Sequence, residues 1–88
     1  MTNITADDLE DLRHMLGAEP GRYSRKSWGF RNYFVGRTPS MDRLCAVGFV
    51  RQARPPMNGN DPIYAATREG CRAAGMTVAE IDRMENQP

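Results

Sequence analysis

The chain has 88 residues, of which 40% are hydrophobic and 26% charged. That balance excludes wholesale disorder, and the length excludes a second independent core. No apolar run approaches the roughly 18 residues of a membrane span. The opening segment MTNITADDLEDLR is acidic, whereas a secretory leader is basic and then apolar. These readings predict one cytoplasmic domain over residues 1–88, outside the membrane, with 86–88 as a disordered tail.

The net charge of +1 conceals a division along the chain. Residues 1–21 carry Asp7, Asp8, Glu10, Asp11 and Glu19 against Arg13 alone. Residues 22–54 carry Arg22, Arg25, Lys26, Arg31, Arg37, Arg43, Arg51 and Arg54 against Asp42 alone. The last third returns to a slight acidic excess. A basic middle third points to an anionic partner, or to internal neutralisation by an acidic helix folded over it. Eleven of the twelve basic residues are arginine, the better bidentate ligand for phosphate and carboxylate. Cys45 and Cys71 stand far apart among apolar or small neighbours and read as reduced and buried. One histidine, His14, and no close Cys/His spacing give no reason to expect a metal or any other cofactor.

The first predicted element is a helix over 6–16. Thr5 and Asp8 form an approximate capping box, Ile4 and Leu9 fall at staple positions, and Leu9, Leu12 and Leu16 recur at helical spacing before Gly17. Its polar face is acidic. The next stretch, RYSRKSWGFRNYFVGR over residues 22–37, holds five basic and five aromatic residues and no acid. A strand at about 31–35 is expected, with Trp28, Phe30 and Phe34 on one face if 28–35 is extended and Arg31, Tyr33 and Val35 on the other. A short helix over about 24–30, started by Ser24, is the rival. With seven aromatics in the whole chain, at least two of these five are expected in the core.

Thr38-Pro39 opens a helix over 39–47, carrying Met41, Leu44 and Cys45, that Gly48 ends. FVRQAR and PIYAAT then read as two strands of a hairpin, joined by RPPMNGNDP with its Asn58-Gly59 turn pair. Thr67 caps a short helix REGCRAA closed by Gly75. Thr77 with Glu80 starts the last helix, with Met76 and Ile81 as its staple, running to about Met84. The methionines read mostly as core filler, with Met57 at the loop tip as an apolar exception able to touch a partner.

Residues 39–75, through MDRLCAVGFVRQ, RPPMNGNDP and IYAATREGCRAAG, resemble the second half of a winged helix-turn-helix domain. The whole chain, WGFRNYFV included, also resembles small proteins of phages and prophages. The winged-helix resemblance implies a small α+β domain with three or four helices and a two- or three-stranded antiparallel sheet. It further implies that the 39–47 helix enters the major groove through Ser40 and Arg43, with Arg51 and Arg54 beside a wing at 54–62.

The function expected from the sequence is therefore a non-enzymatic DNA-binding or regulatory accessory protein of phage or prophage type. Arg22, Arg25, Lys26, Arg31 and Arg37 would serve phosphate contacts. The alternative is a protein-interaction module without nucleic-acid binding, its arginine and aromatic surface turned to an acidic partner. Homodimerisation is open in either case. No set of residues composes a recognisable catalytic constellation: His14 reads as a partly exposed helix residue, and Ser24, Ser27 and Ser40 as caps or loop hydroxyls. Glu80, Asp82 and Glu85 read as a solvated acidic face, with a partner-binding face as the sharper alternative.

Overall fold

The computed structural model describes residues 3–18, 21 and 28–86. Its elements are α1 (Ala6–Leu16), β1 (Phe34–Val35), α2 (Pro39–Ala46), β2 (Val50–Arg54), β3 (Ile63–Ala66), α3 (Arg68–Ala73) and α4 (Val78–Glu85). The three strands form one antiparallel sheet in the order β1-β3-β2. The described residues thus form a small α+β domain with four helices and a three-stranded antiparallel sheet.

Local chemistry sets the helix boundaries. The Thr5 hydroxyl accepts from the Asp8 N–H at 3.1 Å while the Asp8 carboxylate accepts from the Thr5 N–H at 3.1 Å. Thr77 and Glu80 repeat the same reciprocal pair at the start of α4. Thr38 and Thr67 cap α2 and α3 with their hydroxyls. At the other end of α1, Gly17 takes φ 67°, so that its N–H reaches the His14 carbonyl and the Ala18 N–H reaches that of Arg13. This left-handed turn satisfies two carbonyls that the helix leaves over. The same pair of hydrogen bonds closes α2 at Gly48 and α3 at Gly75.

One face of the sheet is covered by helices. Val50, Tyr64 and Ala66 point into a core built with Leu12, Met15, Leu16, Met41, Leu44, Cys71, Met76 and Ile81, and Phe34 packs against it. The short strand β1 is extended by a side chain. Where the next hydrogen-bonded pair of the ladder would fall, the Asn32 amide accepts from the Ala66 N–H at 2.7 Å and donates to the Ala66 carbonyl at 3.5 Å. At Gly70 a side chain has no room, because a Cβ there would strike the Phe49 carbonyl. That contact presses α3 against the chain entering β2.

The hairpin turn is as the sequence reads. Asn58 and Gly59 both have positive φ, 53° and 78°, and Met57 and Asn60 bridge across them. Two features differ from expectation. The strand in the aromatic stretch is confined to Phe34–Val35, since residues 28–30 form a turn around Gly29 at φ 83°. Trp28 is consequently buried and Phe34 half-buried, but Phe30 is 54% exposed and leaves their face. Cys45 is half-buried where full burial was expected, while Cys71 is buried; both are free thiols. Of the rival helix over about 24–30, residues 24–27 lie outside the described residues, and 28–30 form the turn instead of a helix. Asn86 serves as the C-cap of α4, and the rest of the expected tail lies outside the described residues as well.

Candidate functional site

The arginines expected to make contacts separate into two groups. Of the nine site residues named from the sequence, Arg22, Arg25 and Lys26 lie outside the described residues. Ser40, Arg43 and Arg37 are engaged by acids of the chain itself. Arg31, Arg51 and Arg54 are not.

Asp8 organises the first group. It is fully buried at the α1–α2 contact. Its Oδ1 accepts from the Ser40 hydroxyl at 2.7 Å and from Arg43 Nη2 at 2.8 Å, and its Oδ2 accepts from Arg43 Nε at 2.7 Å besides the Thr5 N–H. Four donors fill the lone-pair positions of one carboxylate. The Arg43 guanidinium, helped by the hydroxyl and backbone donors, holds the Asp8 carboxyl far below its ordinary value against the opposing effect of burial. Arg37 pairs with Asp42 on the exposed side of α2, with Nε 3.0 Å from Oδ1. The surface of α2 expected to read bases is therefore bound to acids of the domain.

The second group lies around the outward face of the sheet. Side chains alternate along a strand, and Phe34, Tyr64 and Gln52 stand in register on the helix side. Val35, Ile63 and Arg54 then form one outward row, and Tyr33, Ala65 and Arg51 a second. Tyr33 and Val35 are about half exposed, at 50% and 53%. The Arg31 guanidinium lies 4.8 Å from the centre of the Tyr33 ring, a cation–π arrangement on the same side. Arg51 and Arg54 are exposed, and Arg54 donates to the Asp61 carbonyl at 3.3 Å. Among the described residues no carboxylate pairs with Arg31, Arg51 or Arg54.

The sequence singled out these arginines and put Tyr33 and Val35 on the face of Arg31, but missed Ile63 as their apolar companion. The signal was available in the strand IYAA, which carries no polar residue on either face although only one face of an antiparallel sheet is helix-covered. An open cleft of about 480 Å³ lies on the other side of the hairpin, lined by Arg37, Asp42, Cys45, Gln52, Pro56, Pro62 and Tyr64. Burial raises the thiol of Cys45 above its ordinary value and pushes that of Cys71 up to about 11, so neither is a thiolate at neutral pH.

The remaining sequence readings have plain positions. His14 is exposed on α1, and Met57 is 52% exposed at the hairpin tip. All three acids on α4 are bound within the domain: Glu80 accepts from the Thr77 N–H at 2.8 Å, and Arg68 reaches Asp82 at 3.1 Å and Glu85 at 2.7 Å. No group of three or more potential metal ligands occurs among the described residues, and no described helix is long and apolar enough to cross a membrane. No family model matches the chain, and neither a curated protein nor a solved structure does.

Proposed function

We propose that the protein is a non-enzymatic regulatory or accessory module that recognises an acidic protein partner on a scaffold of winged-helix kind. The observation that carries this reading is the buried Asp8, which takes both Ser40 and Arg43 of α2. With Asp42 facing outward beside them, α2 offers a base edge or a phosphate little free donor capacity. The scaffold part of the reading is supported by the strand order β1-β3-β2, with α2 between β1 and β2 and a hairpin arm after it. The phage or prophage setting rests on the resemblance of the sequence. Two free thiols fit the reducing cytoplasm.

A second reading, contact with the DNA backbone through the hairpin, is favoured by the exposed Arg51 and Arg54 at the place the resemblance gives to a wing. Anisotropy of a labelled duplex at about 50 mM and about 200 mM salt separates the two, because phosphate-driven binding weakens steeply over that range. The expected result is no binding of the duplex at either salt. Binding at the lower salt that weakens steeply at the higher one overturns the protein-partner reading.

A further inference from the structure

An antiparallel sheet that shows one face to water normally carries polar side chains there. In this domain the half-exposed Tyr33 and Val35 and the half-buried Ile63 occupy outward positions of β1, β3 and the residue preceding β1, and Ala65, on the same face, is buried. The strand spacing makes the row Val35, Ile63, Arg54 about 10 Å wide. Arginines flank this apolar centre on two sides, with Arg51 and Arg54 along the free edge of β2 and Arg31 stacked on Tyr33 at the opposite edge. An apolar middle with a charged rim is the layout of a protein-binding patch, and arginine and tyrosine are residues that dominate such patches energetically.

Among the described residues Arg31, Arg51 and Arg54 make no ion pair, although Asp61 lies beside Arg54 and accepts from it through its carbonyl, and Asp8, Asp42, Asp82 and Glu85 are committed to Arg43, Arg37 and Arg68. Resting on the proposed recognition of an acidic protein, we infer that the outward sheet face is the docking surface, and that its occupant is an amphipathic segment combining aliphatic side chains with carboxylates. The aliphatic side chains cover Val35 and Ile63; the carboxylates reach Arg51 and Arg54 at one edge and Arg31 at the other. A nucleic acid satisfies the arginines but leaves Val35 and Ile63 facing a charged backbone. A helix of the partner laid on this face also gives the sheet its second covering layer.

The probe is a labelled peptide of leucine and glutamate in an amphipathic helical pattern, compared with its leucine and lysine counterpart and with a single-stranded oligothymidine. The leucine–glutamate peptide is expected to bind best. Arg51→Glu with Arg54→Glu, and separately Val35→Asp, are expected to weaken it about tenfold or more. Thermal midpoints equal to that of the parent establish that these exposed changes leave the fold intact.

If peptide binding ignores both variants, the surface is wrong while the acidic-partner reading stands. Salt-sensitive binding of the oligothymidine alone, lost in the arginine variant, overturns both. Concentration-dependent sedimentation abolished by the same variants gives the face to a second copy of this chain and overturns the proposal. Binding of none of the probes overturns it too.

Discussion

The α1–α2 contact and the outward sheet face contain the same residue type in opposite circumstances. At the contact, Arg43 meets a carboxylate that is fully buried and already shaped by its own helix cap. On the sheet, Arg31, Arg51 and Arg54 meet an aromatic ring, water and a backbone carbonyl. The first arginine is consumed by folding, and the other three make no ion pair among the described residues. A basic run in a sequence is therefore the sum of two populations, and only tertiary structure assigns each member to one of them.

The largest expected effect breaks the first half of that contrast. Asp8→Ala removes the carboxylate while leaving Ser40 and the Arg43 guanidinium at the helix contact without their acceptor. Because Arg43 is partly exposed and can be resolvated, the loss is that of the charge-assisted hydrogen bonds to Asp8, about 1.5–3 kcal/mol, and the lost capping box adds to it. Urea denaturation should show this as a midpoint shift at constant slope. The pH dependence has a definite sign. Because the folded carboxyl lies well below its ordinary 3.8, the unfolded chain takes up a proton first as pH falls. The contribution of Asp8 is complete above about pH 5 and disappears progressively as the solution is acidified through and below the unfolded value. Asp8→Asn should flatten that acid limb relative to the parent while leaving the neutral-pH slope unchanged.

Gly70→Ala is a smaller break with an informative direction. In an exposed helix the change gains about 1 kcal/mol from propensity. Here the new methyl strikes the Phe49 carbonyl, which already accepts the Thr67 N–H at 3.0 Å. Overpacking of this kind costs about 1–3 kcal/mol, so the variant should melt lower than the parent. A higher melting temperature would mean that α3 moves freely against the entrance to β2.

Smaller again is Asn32→Ala, which tests the other edge of the sheet. The amide of Asn32 acts as a surrogate for the main chain opposite Ala66. Its loss leaves the Ala66 N–H without a protein acceptor, at a cost of about 1–2 kcal/mol. Hydrogen exchange at the Ala66 amide should speed up more than at Ala65, whose ladder partner is Arg51 on β2.

These sites differ in how far the sequence reveals them, and the reason is range. Thr5 with Asp8, Thr77 with Glu80, and Gly17, Gly48 and Gly75 act within six residues, so their roles are visible in a one-dimensional string. The Asn58-Gly59 turn is equally local. Asp8 was legible as a cap and illegible as the partner of Arg43, because 35 residues separate them. Asn32 and Ala66 are 34 apart and present the same difficulty. Phe30 misled for a different reason: Gly29 at positive φ interrupts the alternation that would have placed it beside Trp28 and Phe34. The candidate surface was half legible, its arginines from charge and Tyr33 and Val35 from alternation, whereas Ile63 joins them only through the register of β1 with β3.

The last comparison predicts an absence of effect. Arg51→Ala with Arg54→Ala removes two cations from the free edge of β2, where neither makes an ion pair within the described residues and one donates only to an exposed carbonyl. Surface substitutions away from caps, cores and buried pairs leave stability almost unchanged. The urea midpoint should match the parent, and added salt should move both proteins alike, because no attraction within the fold is being screened. Arg43→Ala, one residue of the same type, should lower the midpoint clearly in the same assay. If the Arg51 and Arg54 variant also melts early, those side chains support the sheet from outside, and the division between arginines spent on folding and arginines kept for a partner collapses.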